Sequence, residues 1–267
     1  KPIDPIKQYA ESFKIPLFQP KNYKNQKLHD EIKSIKPDLC VMAYVTSFIP
    51  EEFRNIFKKG TICFHPSLLP MHRGPSAMNW PIILGSKETG LTIFHPNDFL
   101  DEGDIILQKK VQILPDDTLG DVYFSKIFSL GVNACVEAVD LIASGNPPRI
   151  IQDELKATYE TWCKKSDSKI NWNKSGQEIY NLIRGCNPQP GAWANIEGNE
   201  YSFYDTSFEL TKNSKFLSGQ IISINKHEIV ISVIGGILKV SRIKSKQGKL
   251  YIKEMDTDVL KVGYVFM

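Results

Sequence analysis

His65 ends an apolar run, Thr61-Ile62-Cys63-Phe64, and is followed at once by Pro66. If the run is a strand, Pro66 ends its ladder and leaves His65 at the carboxyl rim, where ligands bind in open α/β sheets. Cys63, two residues earlier, shares the face of His65. A second run, GLTIFH (90–95), leads into the loop PNDFLDEGD (96–104). Should the two runs be neighbouring strands, His65 and Asp101 converge at one rim. A histidine titrates in the range needed for proton transfer, and a carboxylate beside it raises its pKa and fixes its orientation.

On residue types alone the plainer readings stand beside this one. They are a structural or merely exposed histidine, and a simple turn where Asp101 and Asp104 flank Gly103. A metal site from His65, His72, His95, Asp101 and Asp104 matches no compact ligand spacing, so no metal is expected. No GxGxxG or Walker loop is present, which argues against a dinucleotide or ATP enzyme.

The elements that would position these groups follow from periodicity. DLCVMAYV (38–45), TICFH (61–65) and GLTIFH are continuous apolar runs of strand length. Helical patterns at 24–35, 51–58 and 76–84 lie between them, the last kinked by or beginning at Pro81. This alternation predicts a doubly covered parallel α/β sheet. The chain enters with a helix over 4–13 and a short strand at IPLFQ (15–19). A long helical pattern spans 118–144 and is stopped by Gly145, Pro147 and Pro148. Residues 149–170 read as a connection anchored by Tyr159 and Trp162, and 175–185 as a helix opened by Ser175 and closed by Gly185. Beyond the Pro/Gly-rich 186–193 the period becomes 2, which predicts an antiparallel β domain over 195–267.

The totals fit such a protein. The 267 residues provide a real core, and the net charge of +3 is too small to imply nucleic acid by itself. Five cysteines without a CxxC pair read as reduced thiols in a cytoplasmic protein. No apolar run approaches the roughly 18 residues of a membrane span, so no membrane partner is expected.

HPSLLPMHRGPSAMNW (65–80) followed by LTIFHPNDFLDEGDIILQ (91–108) resembles the formyltransferase family that uses 10-formyltetrahydrofolate. The SLLP signature, the RG turn and the LDxGD loop stand in that order. LPDDT (114–118), ATYE (157–160), KINW (169–172) and the IRG…PGAW pattern (183–193) point to the branch formed by the hydrolase domain of formyltetrahydrofolate dehydrogenase. The resemblance implies a Rossmann-like catalytic domain over 1–148, a linker and helix over 149–194, and a small OB-like β domain after them. It implies His65 and Asp101 as the catalytic pair. It implies folate contacts from Ser47, Phe48 and Ile49, from the turn Ser67, Leu68, Leu69 and Pro70, and from Asp101. The formyl donor is then 10-formyltetrahydrofolate and the acceptor is water or a small amine.

Two departures from the family pattern matter. The family's transferases carry Asn two residues before the histidine as an oxyanion donor. This chain has Cys63 there, a weak donor; the hydrolase domain of the dehydrogenase also lacks that Asn, so the resemblance tilts toward hydrolysis. A strand–helix–strand unit that precedes the KPIDPIKQYA segment in the family is expected to be missing from the sheet. No NADP chemistry is expected, since neither the aldehyde dehydrogenase nor the carrier module of the dehydrogenase is present in these residues. Methionyl-tRNA formyltransferase is the alternative, with Arg242, Lys244, Lys246, Lys249 and Lys253 as a basic stripe for phosphates. A non-catalytic folate-binding homologue is the further one. The oligomeric state has no signature.

Overall fold

A computed structural model describes residues 4–211, 215–254 and 260–267. The chain forms two units, Lys1–Ile62 and Cys63–Met267.

In the first unit Asp4 caps α1 (Pro5–Ser12), its carboxylate accepting the Lys7 N–H at 3.1 Å, and Asn25 caps α2 (Gln26–Ile35) in the same way. Strand β1 (Cys40–Met42) takes only part of the 38–45 run, because Tyr44 turns left-handed at φ 58° and breaks the extended backbone. Helix α3 (Glu51–Arg54) follows Pro50. Leu28, Met42, Ile49, Phe53, Phe57 and Ile62 are buried, and Tyr23, Phe53 and Phe57 stack edge to face. The strand expected at 15–19 does not form. Pro16 and Pro20 lack the N–H groups a ladder needs.

Strand β2 (Thr61–His65) has the bounds its apolar run suggests and carries the chain into the second unit. There it pairs with β3 (Glu88–Phe94), which pairs with β4 (Ile105–Gln112). Both pairings are antiparallel, with Cys63 opposite Phe94 and His65 opposite Thr92. In this part of the sheet the pairing is antiparallel where the apolar runs suggested parallel strands. Apolar runs report burial on both faces and not direction. The connection from β2 to β3 contains the short α4 (Asn79–Ile83), with Pro81 in its first turn, where the missing N–H is tolerated.

The 118–144 pattern becomes α5 (Leu119–Asp121), a π-helical segment (Val122–Ile127) and α6 (Phe128–Ala143). Gly131 lets α6 approach β2, since a Cβ there would stand 2.8 Å from the Phe64 ring. Helix α7 (Gly176–Gly185) is opened by a reciprocal capping box between Ser175 and Glu178. It packs on α4, where the Asn79 amide donates to the Gly185 carbonyl at 2.9 Å.

The period-2 region forms the antiparallel sheet it predicts. Its strands are β5 (Ala192–Ile196), β6 (Asn199–Leu210), β7 (Ile221–Ile224), β8 (Ile229–Val233), β9 (Gly236–Ser245) and β10 (Gly248–Tyr251). The order is β5-β6-β9-β8-β7, with β10 pairing residues Arg242 to Ser245 of β9, past the stretch that pairs β8. Ile179 and Ile183 of α7 join Ala194, Phe203, Ile231 and Leu238 in one core. Among the described residues no helix is long and apolar enough to cross a membrane.

Candidate active site

His65 is the last residue of β2 and its side chain is 7% exposed. Its Nε2 lies 2.8 Å from the His72 carbonyl oxygen, and because a carbonyl only accepts, Nε2 carries a proton. Its Nδ1 faces Oδ2 of Asp101 at 3.5 Å. Both ring nitrogens therefore meet acceptors, an arrangement that fits an imidazolium. Burial works the other way and dominates, pushing His65 below its ordinary value of 6.5. The Asp101 carboxylate and the His72 carbonyl oppose the shift. The ring can take a proton during a reaction but sheds it readily afterwards.

Asp101 is the more exposed partner, at 18%. Its backbone is left-handed at φ 57°, as is that of His72 at φ 59°, so both residues flanking His65 hold conformations uncommon outside glycine. The Gly74 N–H donates to Asp101 Oδ2 at 2.9 Å. Gly103 presses against the His95 carbonyl so closely that a Cβ would lie 1.6 Å from that oxygen. The buried Gln152 amide donates to the carbonyls of Asp101 and Gly103, each at 2.8 Å.

Residues 72–74 supply one partner to each catalytic candidate, the His72 carbonyl to His65 and the Gly74 N–H to Asp101. Residues 158–160 brace them. The Arg73 N–H donates to the Thr158 carbonyl at 2.9 Å and the Glu160 N–H to the Arg73 carbonyl at 3.1 Å. The His72 N–H donates to Thr158 Oγ1 at 2.8 Å, and the His72 ring pairs with Glu160 at 3.1 Å. Arg73 is fully buried. Its guanidinium donates to Gln152 Oε1, to both carboxylate oxygens of Glu154 at 2.9 and 2.6 Å, and to the Tyr159 hydroxyl. Tyr159 in turn donates to Glu102 at 2.6 Å. Tyr159 anchors the connection as its aromatic type suggests, but nothing local in ATYE or the RG turn announces contacts some 85 positions apart.

Cys63 lies on the His65 face and packs against Leu69, Phe94 and Ile105. The SLLP turn lies beside β3: Thr92 Oγ1 donates to the Ser67 carbonyl at 2.7 Å and accepts the Leu69 N–H at 3.1 Å, while Gln108 donates to the Leu69 carbonyl at 2.8 Å. Ser67 and Leu69 are buried, and Leu68 stands against Gly90. Ser47, Phe48 and Ile49 belong to the first unit. Phe48 is 67% exposed, Ile49 is buried, and the three precede α3. Among the described residues no three His, Cys, Asp or Glu side chains converge to hold a metal ion.

The second unit thus carries a histidine–aspartate pair at a strand end and, after it in sequence, an antiparallel β sheet. The chain belongs to the formyl transferase family. Residues 3–139 match formyl transferase and residues 163–255 match the formyl transferase C-terminal domain. It is 37% identical over 280 residues to cytosolic 10-formyltetrahydrofolate dehydrogenase of Xenopus laevis, an alignment covering 97% of this chain and 31% of that protein. The chain thus spans less than a third of the length of that relative. It is 34% identical over 247 residues to methionyl-tRNA formyltransferase of Clostridioides difficile (strain 630), covering 92% of this chain and 79% of that one. The crystal structure of HypX from Aquifex aeolicus in complex with tetrahydrofolic acid superposes with a TM-score of 0.70 at 20% identity, over 89% of this chain and 42% of that one. That likeness shows the α/β fold and its β domain.

Proposed function

We propose that this chain releases the formyl group of 10-formyltetrahydrofolate to water, with His65 and Asp101 as the catalytic pair. The observation that carries the reading is the His65 ring held between the His72 carbonyl and the Asp101 carboxylate at a strand end. Water attacks the formyl carbon and the carbonyl oxygen becomes an oxyanion. The His–Asp pair takes the proton that the water loses, and the positive charge so formed on the buried imidazole would offset the developing negative charge. As the C–N bond breaks, the proton passes to the folate nitrogen, leaving formate and tetrahydrofolate.

The folate would be held by the SLLP turn, and the working division of the chain is 1–148, 149–194 and 195–267. The relation to the dehydrogenase favours the hydrolytic branch, and the name of HypX's bound tetrahydrofolic acid suits the same ligand class. A second reading, formyl transfer to methionyl-tRNA, is favoured by the Clostridioides relative. The basic stripe supports it less, since Arg242 pairs with Asp205 at 2.9 Å and Lys249 sits over the Tyr204 ring. The test is formate release from 10-formyltetrahydrofolate by the purified protein with no acceptor present. Formate appearing only after an amino sugar or methionyl-tRNA is added overturns the hydrolytic reading. No release under either condition favours a folate-binding homologue without activity.

A further inference from the structure

Cys163 and Cys186 take no part in the site described above, yet their sulfurs lie 3.9 Å apart across 23 residues of sequence. Cys186 is fully buried at the carboxyl end of α7, and Cys163 is half-buried in the segment that follows the 158–160 brace. We infer that Cys163 and Cys186 form a reactive dithiol that a peroxide converts to an intramolecular disulfide.

A disulfide requires sulfurs about 2.05 Å apart, so about 1.9 Å must close. The order of events follows from exposure. The Cys163 thiolate attacks one peroxide oxygen and the O–O bond breaks, giving a sulfenic acid and one water. The Cys186 sulfur then attacks the Cys163 sulfur, the S–O bond breaks, and the thiol proton leaves with the hydroxyl as a second water. Two thiols lose two electrons in all and one peroxide gains them. The polarity of the pair supports this order. The contact between the two sulfurs holds Cys163 below the ordinary thiol range, while that same contact and burial push Cys186 up.

The bond would join the brace to α7. The Cys163 N–H donates to Ser76 Oγ at 2.9 Å, the Trp80 indole donates to the Thr161 carbonyl at 2.9 Å, and Glu160 holds the His72 ring. A new tether at residue 163 therefore acts on the segment aligned with His72. The test uses reduced wild-type protein treated with hydrogen peroxide, then denatured and alkylated. Free thiols should fall from five to three, and a digest should yield a Cys163–Cys186 peptide that dithiothreitol separates. The Cys163→Ser and Cys186→Ser variants should lose that peptide. Five thiols surviving, a cross-link through Cys40, Cys63 or Cys135, or further oxidation of Cys163 without any cross-link would overturn the inference. The readout makes no use of formyl chemistry, so it stands or falls separately from the proposed function.

Discussion

Replacing Gly103 with alanine adds one methyl group at the loop that carries Asp101, without changing charge. The added Cβ would lie 1.6 Å from the His95 carbonyl oxygen, and reaching the 3.4 Å of ordinary contact takes about 1.8 Å of movement. His95 is tied to Asp104 through its N–H at 2.9 Å, and Gln152 holds the Gly103 carbonyl from the other side. The movement is therefore shared between the end of β3 and the Asp101 loop. A displacement of about 1 Å at a catalytic group costs about 100-fold in rate, or about 2.7 kcal/mol of activation free energy. Gly103→Ala should lower kcat/KM for formyl release by about 100-fold or more and destabilise the fold by about 2 kcal/mol. The assay pairs formate release with thermal unfolding, using Gly120→Ala as the control. In that variant the nearest atom is 3.4 Å away, so little change is expected. A Gly103→Ala protein within threefold of wild type would refute the claim that the pressed glycine sets the Asp101 geometry.

Four further outcomes are expected. Cys63→Ala should change turnover less than threefold, because the thiol packs against apolar neighbours and is not the nucleophile; a loss of about 100-fold would reverse that assignment. Arg73→Lys should lower the unfolding free energy by about 2–4 kcal/mol in a denaturant titration, since one ammonium cannot replace the fork to Glu154 and Gln152. Thr158→Val removes the acceptor of the His72 N–H, so it should cost about 1–2 kcal/mol of stability and about tenfold in kcat/KM. The folded value of His65 lies below 6.5, so between the two the unfolded chain binds more protons. Stability should fall as the pH drops from about 6.5 toward the folded value and level off below it. Denaturant titrations across that range should show a smaller fall in His65→Gln.

The sequence makes His65 legible because an apolar run, a histidine and a proline together define a strand end, and β2 has those bounds. The β domain is legible for a similar reason, since alternation reports both strand and buried face. Strand direction is not encoded in β2 and β3, where Ile62, Leu91 and Ile93 look alike in parallel and antiparallel sheets. Nor does any local signal mark the left-handed backbone of Tyr44 that shortens β1. The brace on the site is the largest omission. Thr158, Glu160 and Gln152 reach residues 72, 73 and 101 across 51 to 88 positions, and only tertiary packing brings them together.

The most direct measurement compares formyl release by wild-type protein and by His65→Ala on 10-formyltetrahydrofolate, with folding checked by circular dichroism. Loss of the imidazole that moves the proton should lower kcat by about 100-fold or more while formate remains the product of the wild type. Equal turnover in the two proteins would contradict the assignment of His65 and Asp101 as the catalytic pair.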